Sequence, residues 1–274
     1  MKLCINEATC MNNSTLKKDL ELAEKNGYDY IELRIDMLRN YLKTAPLTDL
    51  ADFFNSHNLK PAGYNSIENI NFTTQEEWEK IETDLLFACE AKRFIGGETI
   101  VVVPTIKSGM TYSESEIFED SVKVLSKMSQ IVKPYDMKIA FEPIGSEDCC
   151  VRSLSEGMKI IEAVDEANVG LVIDAFNLYL FEGWKDIDCL KRIPVEKIFC
   201  YHIDDSDDLP LNILDHCHRL FPSNGVIPLQ EITRILKDIG YAGICSLELF
   251  NPSYWSLDPE EVFEVGAKKT KVYL

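Results

Sequence analysis

No run of about 18 apolar residues, the length a membrane-crossing helix needs, occurs in this chain of 274 residues. A helix that spans a membrane is therefore not expected. Positive charge is scarce: 28 Lys and Arg stand against 46 Asp and Glu, for a net charge of −18. Proteins that live on nucleic acid neutralise phosphates with a basic face, so nucleic acid is not an expected partner, whereas divalent cations and small polar solutes are. There is no CxxC pair among nine scattered cysteines, which argues against a thiolate zinc knuckle and a disulfide framework. Cys4, Cys89, Cys200 and Cys245 lie in apolar stretches, where a reduced thiol behaves as a small hydrophobe. The opening "MKLCINEATC" enters a strand pattern without the apolar core of a signal peptide. A reduced, cytoplasmic chain is expected. No GxGxxG follows the first strand, which removes the main signature of a dinucleotide-binding open sheet. No linker, low-complexity segment or charge block divides the sequence.

What the sequence does contain is alternation. Apolar, β-branched runs at 2–8, 28–35, 60–67, 99–105, 137–145, 169–177, 196–204 and 242–250 read as strands. Helical patterns follow at 14–27, 48–58, 74–94, 115–132, 153–167, 187–193, 229–240 and 258–274. Eight units of about 34 residues suit a (β/α)8 TIM barrel, with residues 1–274 forming one domain. Apolar strands without polar alternation fit a parallel sheet covered on both faces.

Polar residues interrupt these strands at particular places. "AFEP" holds Glu142, "VIDAF" Asp174, "CYHID" His202 and "SLELF" Glu248. All four fall at the C-terminal ends of consecutive strands, the fifth to the eighth, where a barrel of this kind builds its active site. Each one alone could bond a loop backbone. Together, three carboxylates at matched depth cost several kcal/mol unless a cation pairs them. One imidazole and three carboxylates make a hard, oxygen-rich centre for one divalent ion: Mn, Mg, Co or Zn. Of the aspartates after His202, Asp204 and Asp205 are expected to hold loops or a helix start, and Asp207 and Asp208 to be solvated.

With the quartet in place, the sequence resembles the xylose isomerase-like TIM barrels, the sugar-phosphate isomerase and epimerase group, and within it the inosose isomerases. The likeness runs along nearly the whole chain, through "KLCINEAT", "NGYDYIELR", "VKPYDMKIAFE", "NVGLVIDAF", "KIFCYHIDD" and "SLELFNPSYW". The resemblance implies a single divalent metal on Glu142, Asp174, His202 and Glu248, with both glutamates also moving protons. It departs from the family at two places. The family's D-x-x-H becomes "DAFN", with Asn177 where histidine is usual, and a loop histidine after the fifth strand is replaced by Ser146. Asn177 can bond a substrate hydroxyl but carries no charge.

The chemistry that follows is proton transfer beside a carbonyl, through an ene-diolate of a ketose or keto-polyol such as an inosose, with Glu142 and Glu248 as acid and base. Excess negative charge calls for a nearby cation. Arg219 in "HRLFPSNG" is the candidate, the alternative being a surface loop residue. Glu32 and Arg34 either contact substrate hydroxyls or pair with each other. A dehydratase of the dehydroshikimate type and a non-catalytic sugar-binding protein are the competing functions. A three-zinc DNA-repair endonuclease of the same fold needs more than the four histidines present. The partner expected is a small polyol or ketose, and a homo-oligomer is compatible with the sequence.

Overall fold

The computed structural model describes residues 1–183 and 187–274. Strand β1 (Lys2–Asn6) leads to helix α1 (Leu16–Lys25), and β2 (Tyr30–Arg34) to α2 (Ile35–Tyr41) and α3 (Leu47–Ser56). Then come β3 (Lys60–Ile67), α4 (Gln75–Ile95), β4 (Thr99–Val102), α5 (Glu114–Val132), β5 (Lys138–Phe141) and α6 (Leu154–Val164). Next are β6 (Val169–Asp174), α7 (Ala175–Glu182) and β7 (Ile198–Ile203), followed by a small hairpin of β8 (Asp205–Ser206) and β9 (Arg219–Leu220). The chain ends with α8 (Leu229–Asp238), β10 (Ile244–Leu247), α9 (Pro252–Trp255) and α10 (Pro259–Thr270). β1 to β7 and β10 form a closed barrel, each strand parallel to its neighbours.

Local sequence accounts for the helix starts. α4, α5 and α6 open on reciprocal capping boxes, Thr74 with Glu77, Ser113 with Glu116 and Ser153 with Glu156. In each, the hydroxyl accepts the third helical N–H while the glutamate accepts the N–H of the cap residue, satisfying two donors that a helix end otherwise leaves bare.

The sheet sorts its residues by parity. Ile139, Phe141, Leu171, Ile173, Tyr201, Ile203 and Leu247 join the large core between barrel and helices. Their neighbours Val101, Ala140, Val172 and Cys200 form a separate small cluster inside the ring. Successive residues of a strand face opposite sides, so the next inward positions after Ala140, Val172, Cys200 and Ser246 are Glu142, Asp174, His202 and Glu248. The polar quartet therefore rests on a floor of small residues. Asp174 and His202 are register partners, as are His202 and Ser246.

Three features differ from the sequence reading. The run 169–177 stops being a strand at Asp174, whose carboxylate accepts the Asn177 N–H at 2.6 Å and caps α7. The pattern at 187–193 is a 3₁₀ segment, Ile187–Arg192. The short helix α2 follows β2 directly.

α1 also carries a charge on its buried face. Asp19 is wholly buried beside Leu16, Leu20 and Ala23. Burial pushes its carboxyl up to about 7, with Ser14 and Lys18 offsetting part of the effect. Glu7 is raised as well, by burial and then by Asp19. A raised carboxyl favours the folded state below its unfolded pKa, and that stabilisation is lost as pH rises through the folded value. The window here runs from about 4 to about 7. Asp19→Asn should remove part of this slope, so that the variant gains about 2 kcal/mol on the wild type between pH 5 and pH 8. Urea unfolding at the two pH values measures the gain; parallel curves would show that Asp19 ionises freely.

Candidate metal centre and active site

Four strand ends bring the quartet together. Ligand atoms of Glu142, Asp174, His202 and Glu248 all lie within 4.8 Å of one another, and all four residues are buried. His202 Nδ1 is the hub, 3.3 Å from Glu248 Oε2, 3.5 Å from Glu142 Oε1 and 3.7 Å from Asp174 Oδ2. The other ring nitrogen, Nε2, lies 3.1 Å from Glu32 Oε2. A histidine that ligates through one nitrogen commonly has the other held by a carboxylate, which fixes the ring's orientation, and Glu32 supplies that contact.

Two observations test whether the donors suit a cation. His202 Nδ1 is buried without a hydrogen-bond partner and Asp174 Oδ2 has only the Arg219 guanidinium beside it, although buried polar atoms are nearly always partnered. The separations of 3.3–3.7 Å around Nδ1 also match donor–donor edges of roughly 3.3 Å around a zinc-sized ion. The residues fit a divalent ion.

Arg219 occupies the outer side. It is 1% exposed, so it is no surface loop residue, and its guanidinium lies 5.3 and 5.4 Å from the ring centres of Phe176 and Phe250. Nη1 reaches Asp204 Oδ2 at 2.6 Å, Glu248 Oε2 at 2.8 Å and Asp174 Oδ2 at 2.9 Å. His216, pushed down to about 4 by burial and by Arg219, faces Nη2 through Nδ1 at 3.3 Å.

These neighbours divide the carboxylates. Burial pushes Glu142 up to about 7, with His202 working against it. Burial would also raise Glu248, but His202 and Arg219 outweigh it and hold the group well below the usual carboxylate range. Burial is likewise overcome at Asp174, chiefly by Arg219. Burial disfavours a charged His202, yet Glu248, Glu32, Cys200 and Glu142 hold its pKa well above the ordinary imidazole value.

Asn177 is fully inside the site. Its Nδ2 donates to Glu142 Oε1 at 3.2 Å, and its Oδ1 accepts the Gly145 N–H at 3.4 Å. That approach requires glycine: a Cβ at residue 145 would lie 2.3 Å from the Asn177 carbonyl oxygen. Ser146 lines a cavity of about 560 Å³ with Arg152, Leu211 and Leu214, on the C-terminal side of the barrel. A larger cavity of about 1070 Å³ lies among α1, α2 and α3 and touches none of the quartet; chemistry, rather than size, marks the site. Glu32 and Arg34 do not pair with each other: Glu32 contacts His202, and among the described residues Arg34 pairs with Asp36 at 3.0 Å. Asp204 holds the start of α7 by accepting the Phe176 N–H, and Asp205 holds the loop through the Gly225 and Ile227 N–H groups.

Asn6 and Asn65 were not singled out from the sequence. Both donate to Glu248 Oε1, at 2.8 and 3.1 Å, and Asn6 also reaches Glu32. Asn6 ends an apolar strand just as the quartet residues do, and that signal was available. Asn65 is one polar residue in the less regular run "GYNSI" and gave none.

Protons and metal compete for this pocket. Glu142 and His202 must both give up protons for an ion to bind, so affinity should fall as pH drops from about 8 to about 6, by up to about tenfold per unit for each proton. Isothermal titration at the two pH values checks this, and equal affinities would contradict it. His202→Ala should abolish tight binding.

Residues 20–271 match the xylose isomerase-like TIM barrel family. The inosose isomerase of Bacillus subtilis is 41% identical over 273 residues, covering 99% of this chain and 97% of the relative. A 1.8 Å crystal structure of the IOLI protein with a bound zinc atom superposes with a TM-score of 0.94 at 40% identity, covering 99% of this chain and 97% of that one. A 3-dehydroshikimate dehydratase of Pseudomonas aeruginosa is 24% identical over 182 residues, 65% of this chain and 27% of the relative. A barrel matched over nearly its whole length, with a buried metal-type quartet at its C-terminal mouth, belongs to the xylose isomerase-like TIM barrel family.

Proposed function

We propose that the protein is a divalent-metal-dependent isomerase of an inosose-type keto-polyol, moving a proton between neighbouring carbons. The observation that carries this reading is the convergence of Glu142, Asp174, His202 and Glu248 on one buried point, in a chain 41% identical over its whole length to an inosose isomerase. A dication held by the quartet would supply Lewis-acid stabilisation of the negative charge that develops on the substrate's oxygens. Zinc, the ion in the similar IOLI structure, is the first candidate, with Mn, Mg and Co as alternatives. A small polyol or ketose, rather than nucleic acid or a membrane, is the partner this reading calls for, and nine scattered cysteines with no CxxC pair suit a reduced, cytoplasmic setting.

The two glutamates differ in a way that suits proton transfer. Glu248 is kept ionised by Arg219 and by the amides of Asn6 and Asn65, and serves as base. With the ion bound Glu142 is ionised, and its raised basicity suits it to take the substrate hydroxyl proton and pass it to the neighbouring oxygen, while Glu248 returns the proton it removed to the adjacent carbon. Arg219 bears on the oxygens as they gain charge, and Asn177 offers an uncharged amide where the family has an imidazole. Glu32 acts by orienting His202. Arg34 would meet substrate only by leaving Asp36.

Heavy water tests the assignment. The metal-loaded enzyme should exchange a substrate C–H with deuterium on an inosose, and Glu248→Gln should slow exchange by about 10²-fold or more at equal metal occupancy. Recovery of the rate on restoring metal would make Glu248 a ligand alone. Loss of water from a dehydroshikimate-type substrate would move the assignment to a lyase, and no exchange on any hydroxyketone would leave a binding protein. Asn177→His should raise turnover on an inosose if that is the substrate.

A further inference from the structure

The turn between β8 and β9 carries a second set of metal-type donors that the barrel chemistry does not use. In "DHCHR" the side chains divide into two groups. His216 and Arg219 turn inward to meet each other, while Asp215, Cys217 and His218 gather on the outer side with ligand atoms within 4.8 Å. His218 Nδ1 lies 3.6 Å from Cys217 Sγ and 3.4 Å from Asp215 Oδ1. Zinc–ligand lengths of about 2.3 Å to sulfur and about 2.0–2.1 Å to nitrogen and oxygen, at the tetrahedral angle, give edges of about 3.5 Å for S···N and about 3.3 Å for N···O. The observed separations match both edges.

We propose that Asp215, Cys217 and His218 form a surface site for a thiophilic divalent cation of the zinc class, with its fourth position open to solvent. The inference does not depend on the isomerase reading. A thiolate beside an imidazole selects zinc-like ions over magnesium or calcium, which prefer oxygen, and the thiol gives its proton to solvent as the ion binds. The carboxylate and thiolate neutralise the dication. The turn is held in shape beforehand: β8 and β9 pair through Asp205 with Leu220 and Ser206 with Arg219, and the Asp207 N–H donates to the His218 carbonyl at 3.2 Å. The Cys217 N–H fixes Asp215 Oδ1 at 2.8 Å. One contact must be given up. The Asp215 N–H donates to His218 Nδ1 at 3.1 Å, and because that amide is exposed, water can replace the lost bond.

Cobalt substitution provides the test, because a thiolate ligand gives Co²⁺ an intense near-ultraviolet charge-transfer band that the oxygen-and-nitrogen barrel quartet cannot give. The full chain, kept reduced and stripped with a chelator, is titrated with Co²⁺. The band should appear in the wild type, vanish in Cys217→Ser, and need about tenfold more Co²⁺ or higher in His218→Ala. Cys217 is exposed, and unchanged circular dichroism of Cys217→Ser would keep loss of fold out of the comparison. Absence of the band from the wild type would overturn the proposal. So would a band that survives in Cys217→Ser, which would assign it to Cys200 beside Glu32 and His202.

Discussion

Five carboxyl groups, those of Glu32, Glu142, Asp174, Asp204 and Glu248, are buried together at the mouth of the barrel, paired among the described residues with the cations His202 and Arg219. Like charges at such distances, removed from water, repel by several kcal/mol per pair at the effective dielectric of a protein, and everything at the mouth is arranged to contain that repulsion. Arg219 bridges three of the carboxylates, the amides of Asn6, Asn65 and Asn177 take up further oxygens, and Glu142 retains a proton to near neutrality. Negative charge still exceeds positive charge. The excess, with an unpartnered imidazole nitrogen at its centre, is what suits the site to a dication.

Only a rigid frame holds such a cluster. Barrel closure fixes Asp174 opposite His202 and His202 beside Ser246 through backbone pairing, so the ligands cannot drift apart to relieve repulsion. Beneath them Cys200, Val172 and Ala140 fill the ring, and outside it Phe141, Ile173, Tyr201 and Leu247 anchor each strand in the main core. The same alternation of side chains supplies both the grip on the helices and the position of the donors.

Much of this was legible in the sequence because its cues are local. The strand at 60–67 has the bounds read from its β-branched and aromatic run, and S/T-x-x-E signals sit at the starts of three helices. The four strand-end residues stood out because charge is rare inside apolar runs, and the structure gathers them at one point. What was not legible depends on partners distant in sequence. The first residues of α7, 175–177, read as part of strand six because "AFN" continues the apolar run, and 178–182 carry no assignment from sequence; the capping contact of Asp174 ends the strand. The depth of Arg219 reflects three carboxylates and two aromatic rings from elsewhere in the chain, none of which a loop sequence reveals. Glu32 and Arg34 share a strand yet find separate partners, because His202 on β7 and Asp36 in α2 are nearer to their charged tips.

Arg219 comes from the hairpin β8–β9, not from a barrel strand, although it neutralises charges that the strands carry. The ring can close without the hairpin's two-residue strands, which pair only with each other. Metal-type donors and their counter-charge are thus encoded in separable pieces of the gene. An insertion that replaced residues 206–225 would leave the backbone pairing of the ring intact but strip the cation from Asp174, Asp204 and Glu248. Variation in this hairpin is consequently constrained: a new loop has to bring a cation to the same depth, or a strand has to give up an acid in the same lineage.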